Sequence, residues 1–109
     1  MSDQLGLVFA ALSDPTRRQV LQTLLRDGST SVPTLTAELP MTRQAVAKHI
    51  ATLDQAGLIE RTPGSGREVR YQLRPRALKP AAAWLQEADV AWDQRLARLK
   101  RTIERRSNP

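Results

Sequence analysis

A mainly α-helical fold with one small β-hairpin is what this 109-residue sequence predicts, and three observations predict it. Apolar residues recur every three or four positions over residues 3–12, 14–26, 31–57 and 80–105, the period of one helical face. Residues 58–73 break that period, because two short runs of β-formers flank Pro63-Gly64-Ser65-Gly66, a stretch dense in turn formers. The pattern over 31–57 is itself two short helices around a tight turn, so a helix-turn-helix stands directly ahead of a hairpin, the order of a winged helix-turn-helix.

Each element has its own local signals. Over 3–12, Leu5, Val8, Phe9 and Leu12 make an apolar stripe that needs a covering surface. Ser13-Asp14-Pro15 starts a second helix over 14–26, with a capping side chain ahead of a proline whose missing N–H costs nothing in a first turn. Its inward stripe is Val20, Leu21, Leu24 and Leu25, and Asp27-Gly28 ends it. Ser31 caps a short third helix with Val32, Leu35 and Leu39 as its apolar positions, Pro33 near its first turn and Pro40 closing it. Thr42 offers its hydroxyl to the first-turn N–H groups of the fourth, whose stripe is Val46, Ile50 and Leu53 and whose stop is Gly57. The hairpin arms are 58–62 and 69–73, and Arg61, Arg67 and Arg70 line the arms and tip. The last helix, 80–105, would run roughly 40 Å at 1.5 Å per residue. Its stripe is Leu85, Ala88, Trp92, Leu96, Leu99 and Ile103, spaced by three or four residues. A helix that long exceeds what so small a core covers, so much of the stripe is expected to face a second chain. Ser107-Asn108-Pro109 is expected to fray.

Composition narrows the function. The length is that of about one domain, expected to span 1–109, which argues against a multidomain enzyme. Folding at this size hides only about two-thirds of the chain's surface, so a partner subunit helps. With no cysteine, disulfides, thiolate metal sites and thiol nucleophiles are impossible. The N-terminus lacks a basic start followed by an apolar run and a cleavage site, and no stretch reaches the ~18 apolar residues of a membrane span. The expectation is a soluble, cytoplasmic protein associated with the nucleoid and not with a membrane.

The net charge of +6 is unevenly placed. Residues 1–40 hold three bases and four acids, 41–80 eight bases and three acids, and 81–109 six bases and four acids, so the middle third is the basic face. Such a patch draws polyanions, nucleic acid foremost for a small cytosolic domain. A merely solvated basic surface is the alternative. Fourteen of the seventeen bases are arginine, a bias that genome composition also produces, so it is not by itself evidence for phosphate binding.

The segments LSDPTRRQVLQTLL, SVPTLTAELPMTRQAVAKHIATLDQAGLIE and GSGREVRYQL closely resemble the ArsR-type winged helix-turn-helix transcriptional regulators of bacteria. The resemblance covers about residues 5 to 104. The DPTRR helix start and the MTRQAVAKHIATLDQAGLI block are specific in combination. What the resemblance implies is a symmetric homodimer built from the first and last helices, with the second helix of the motif in the major groove of double-stranded DNA and the wing on flanking backbone or minor groove.

That resemblance places Thr42, Arg43, Gln44, Lys48 and His49 at DNA. The physics agrees for most of them: Arg and Gln pair bidentately with guanine and adenine edges, while Thr42 and Lys48 suit phosphates. His49 flanks the buried stripe, so DNA contact and a hydrogen-bonded packing role both stay open, with metal binding a remote third. Arg67 and Arg70 are the wing candidates. Arg17 and Arg18 either meet phosphate or pair with acids inside the fold.

Many members of the family bind metals through a Cys-x-Cys pair at the start of the third helix or through Asp and His on the last. Aligned with that pattern, the cysteine places hold Ser31 and Pro33, and the last helix has Glu87, Asp89 and Asp93 but no histidine. Soft metals want imidazole or thiolate, so no metal and no cofactor are expected. Trp84 and Trp92 are two of four aromatic residues. Trp92 is expected to anchor the dimer together with Leu5, Phe9, Leu85, Leu96 and Leu99, the other reading being a small apolar ligand pocket at the tryptophans. An effector of unknown chemistry stays open as a partner.

Enzymatic readings lack parts, since the sole histidine lies on the recognition helix and Gly64-Ser65-Gly66 is a hairpin turn, not a phosphate loop. The expectation is therefore a metal-independent, sequence-specific DNA-binding regulator. It would be an autoregulatory repressor that binds a pseudo-palindromic operator as a homodimer. A winged helix that docks an acidic protein, or binds nucleic acid without reading sequence, is the rival.

Overall fold

The computed structural model describes residues 3–107. In chain order the elements are α1 (Gln4–Leu12), α2 (Pro15–Asp27), α3 (Val32–Glu38), α4 (Arg43–Gln55), β1 (Ile59–Pro63), β2 (Val69–Leu73) and α5 (Lys79–Ser107). The chain divides into two compact units between Leu78 and Lys79. Each expected element is present, with ends shifted by at most two residues. Among the described residues no helix is long and apolar enough to cross a membrane.

The first unit packs α1, α2 and α4 together, with the shorter α3 against α4 as the first helix of the helix-turn-helix, followed by the hairpin. Helix α2 touches α1, α4 and β2, and α3 packs on α4. Val8, Val20, Leu24, Leu35, Val46, Ile50, Leu53, Leu58 and Ile59 are buried together as its core. On α2 the inward set differs from expectation in one place: Leu25 is 65% exposed, whereas Thr23 is buried. At 100° per residue Leu25 lies well round from the Val20–Leu24 line, and Thr23 tolerates burial because its hydroxyl donates to the Gln19 carbonyl at 3.1 Å. On α1, likewise, Val8 and Ala11 are the buried pair, while Leu5, Phe9 and Leu12 are half-buried.

Local chemistry sets the helix boundaries. Asp14, Ser31 and Thr42 each accept a hydrogen bond from a backbone N–H three residues on, satisfying one of the free donors of a first turn. Helix α3 stops at Glu38 because Leu39, the residue before Pro40, is forced into an extended conformation (φ −107°, ψ 141°). Gly57, with φ +74°, turns the chain out of α4. A Cβ there would lie 2.8 Å from the Gln4 amide, which donates from α1 to the Ala56 carbonyl.

Strands β1 and β2 pair antiparallel with Ile59 opposite Leu73, Arg61 opposite Tyr71 and Pro63 opposite Val69. Thr30, in the loop between α2 and α3, adds a one-residue bridge to Tyr71 on the free edge of β2. The second unit is α5 alone. At 29 residues it is longer than expected at both ends, and every residue of it except Ala81 is exposed, Trp92 at 57% and Ile103 at 58%. Of the tail expected to fray, Ser107 is the last residue of this helix, its hydroxyl donating to the Ile103 carbonyl at 2.9 Å, and Asn108 and Pro109 lie outside the described residues.

Candidate nucleic-acid interface

Helix α4 is oriented by its buried side. With Val46, Ile50 and Leu53 turned into the core, the opposite face carries Gln44, Ala47, Lys48, Ala51 and Gln55, and Arg43 is exposed in the first turn. The hydroxyl of Thr42 accepts from the Ala45 N–H at 3.1 Å, leaving other N–H groups of that turn and the positive end of the helix dipole open. No described residue engages the side chains of Arg43, Gln44 or Lys48, so all three are free to meet a ligand. Ala47, Ala51 and Gln55 were not singled out from the sequence, though they follow Gln44 at helical spacing. The two alanines let a helix backbone approach closely, and an alanine methyl suits a thymine methyl.

His49 is different. Its ring is turned toward α2, with Nδ1 3.4 Å from Nη1 of Arg17 and 3.8 Å from Oδ2 of Asp14. Arg17 in turn donates from Nε to the Ala11 carbonyl at 2.7 Å and from Nη2 to the Ala10 carbonyl at 3.2 Å, and Arg18 donates to the Leu12 carbonyl at 2.7 Å. The two arginines therefore cap the last carbonyls of α1. The sequence alone does not show this role, because it joins α2 to the end of the preceding helix. For His49 the arrangement fits the packing role that the sequence left open.

The Arg17 N–H donates to Asp14 Oδ2 at 3.0 Å, and this bond is the main reason that the Asp14 carboxyl lies below its ordinary range; partial burial opposes it, and the charges of His49 and Arg17 assist. A carboxyl lowered on folding stabilises the fold above its unfolded pKa and loses that contribution as pH falls through its folded value. Thermal melts of Asp14→Ala should therefore lie below those of the parent at neutral pH, with the gap narrowing on acidification below about pH 4. A gap that is constant across the series would place the stabilisation elsewhere.

On the wing, Arg67 follows the turn at Gly66 (φ +61°), is exposed, and has no side-chain partner among the described residues. Arg61 is exposed on β1. Arg70, the other wing candidate, is half-buried, and its guanidinium is hydrogen-bonded to Ser29 and Glu68. Where the family pattern has metal-binding cysteines, Ser31 is buried and donates to the Thr34 hydroxyl at 2.9 Å, while Pro33 lies in the first turn of α3. Among the described residues no group of three His, Asp or Glu side chains is placed to hold a metal. On α5, Leu85, Trp92, Leu96 and Leu99 are all exposed, and Trp84 is half exposed.

Comparison with known proteins agrees with this geometry. A family described as a helix-turn-helix domain matches residues 12–62, from the end of α1 into β1. The chain is 35% identical over 96 residues to HTH-type transcriptional regulator Rv2034 of Mycobacterium tuberculosis, spanning 88% of this chain and 85% of that protein. It is 30% identical over 78 residues to Transcriptional repressor SdpR of Bacillus subtilis, spanning 72% of this chain and 84% of that protein. Among solved structures, the ArsR-like transcriptional regulator from Rhodococcus sp. RHA1 matches with a TM-score of 0.77 and 41% identity, over 91% of this chain and 92% of that one.

Proposed function

Because this chain belongs to the ArsR-type winged helix-turn-helix transcriptional regulators, which bind double-stranded DNA, we propose that it is a homodimeric, sequence-specific repressor acting at a pseudo-palindromic operator near its own gene. The observation that carries the proposal is the outward face of α4, where Arg43, Gln44 and Lys48 are exposed and unengaged beside small Ala47 and Ala51. Arg43 and Gln44 would read base edges, Thr42 and Lys48 would hold phosphates, and Arg67 on the wing would meet flanking backbone. The sense of regulation follows the related repressor SdpR, and its physical means is occlusion of a promoter.

Two recognition helices related by a twofold axis enter major grooves about one helical turn apart, roughly 34 Å. The second copy pairs through α5, whose exposed Leu85, Trp92, Leu96 and Leu99 form an apolar strip too long to leave in water. Binding is the whole activity, with no catalytic step. Thiolate-bound metal has no ligand here, since the chain contains no cysteine. Any effector must bind one arrangement of the dimer better than another, because equal affinity shifts nothing.

Fluorescence anisotropy over a salt series, with DNA from immediately upstream of the gene beside a scrambled duplex, tests this reading. The expected result is saturable binding of the upstream duplex alone, two chains per site, with affinity falling steeply as salt rises. Equal, weak binding to both duplexes would instead mark a basic face that reads no sequence.

A further inference from the structure

Arg70 belongs to β2, yet its side chain reaches a loop 41 residues earlier in the chain, between α2 and α3. Its Nε donates to Ser29 Oγ at 2.9 Å and its Nη2 to the Ser29 carbonyl at 3.1 Å, while Nη1 pairs with Glu68 Oε1 at 2.9 Å. The neighbouring residues Thr30 and Tyr71 exchange both backbone hydrogen bonds, at 3.0 and 2.8 Å, so the loop acts as a one-residue third strand. The stem of Arg70 also lies against the wing's turn: a Cβ on Gly64 would come 3.1 Å from Arg70 Cγ and 2.6 Å from the Glu68 carbonyl oxygen. One side chain thus touches the body of the fold, the start of the returning arm, and the turn.

A two-stranded hairpin is marginal by itself, and a turn made of Gly64, Ser65 and Gly66 is conformationally loose. Something has to hold its tip in one place if Arg67, the next residue, is to meet a phosphate in a fixed register. We infer that Arg70 is the positioning residue of the wing: it pins the hairpin to the α2–α3 loop and thereby aims Arg67, without itself touching DNA. Three of the five N–H donors of Arg70 are already committed within the fold, whereas Arg67 has none committed among the described residues. The planar guanidinium fork is what bridges Ser29 and Glu68 at once, and a lysine of the same charge lacks it.

This inference rests on the proposed contact of the wing with DNA, and a double-mutant cycle separates the two. Arg67→Ala should weaken binding of the upstream duplex about tenfold and, being lost from both chains, lower the salt slope by about two. Arg70→Ala and the charge-conserving Arg70→Lys should each lose up to about tenfold in the parent, Ser29→Ala less, and all three should lose under about twofold in the Arg67→Ala background. Losses that persist undiminished in that background, with a further drop in slope, would overturn the inference and make Arg70 a phosphate contact. Persistent losses without a change of slope would overturn it in favour of a general role in stability. An Arg67→Ala protein indistinguishable from the parent would remove the wing from the DNA altogether, and the positioning role with it.

Discussion

Arg43→Ala and Gln44→Ala are each expected to lower affinity for the operator by about 2–6 kcal/mol, since the about 1–3 kcal/mol that one bidentate base contact carries is lost in both half-sites. The two variants should differ in an informative way. Gln44 is neutral, so its loss should leave binding to a scrambled duplex unchanged. Arg43→Ala removes a cation as well and should weaken both duplexes, the operator more. Both side chains are exposed and unengaged in the first two turns of α4, which keeps any change of stability small. Anisotropy on the two duplexes checks this. If both variants bind operator and scrambled DNA with the parent's preference, the face of α4 does not read bases, and a partner other than a specific DNA sequence becomes the better account of the basic surface.

Trp92→Glu is expected to give a monomer. The indole is 57% exposed in one chain and lies midway along the apolar strip of α5, where a large aromatic ring is a typical interface anchor. By twofold symmetry each substitution occurs twice in a dimer, so a loss of about 2 kcal/mol per anchor becomes about 4 kcal/mol, near a thousandfold in the dissociation constant. Sedimentation at micromolar concentration should then show one chain, with helical content retained, because no core residue is disturbed. DNA affinity should fall as well, each monomer holding only one half-site. A Trp92→Glu protein that sediments as a dimer would move the interface off this strip.

Much of this was legible beforehand, and particular residues show why. Val46, Ile50 and Leu53 recur at one helical period after a capping threonine, and all three are buried. The wing was announced by two β-forming runs around Pro63-Gly64-Ser65-Gly66, and it pairs as a simple hairpin. Even the outward face of α4 follows once its inward face is known, although Ala47, Ala51 and Gln55 carry no charge to mark them in the sequence. Leu25 is exposed where its hydrophobicity predicts burial, because hydrophobicity alone does not distinguish an apolar residue at the edge of a stripe from one at its centre, and buried Thr23 holds its hydroxyl bond within its own helix.

The arginines mark the limit. All fourteen look alike in sequence, and a place on the wing makes both Arg67 and Arg70 candidates. In the fold Arg67 is exposed while Arg70 is hydrogen-bonded to Ser29, and Arg17 caps α1 while reaching His49 on α4, 32 residues away. The sequence by itself determined the helices, the hairpin, the basic middle and the apolar strip of α5, because those follow from periodicity, capping and turn chemistry acting over a few residues. The tertiary structure alone decided which cations are free for a ligand and which hold the fold together, because the partner of a long side chain is set by packing that joins segments distant in sequence.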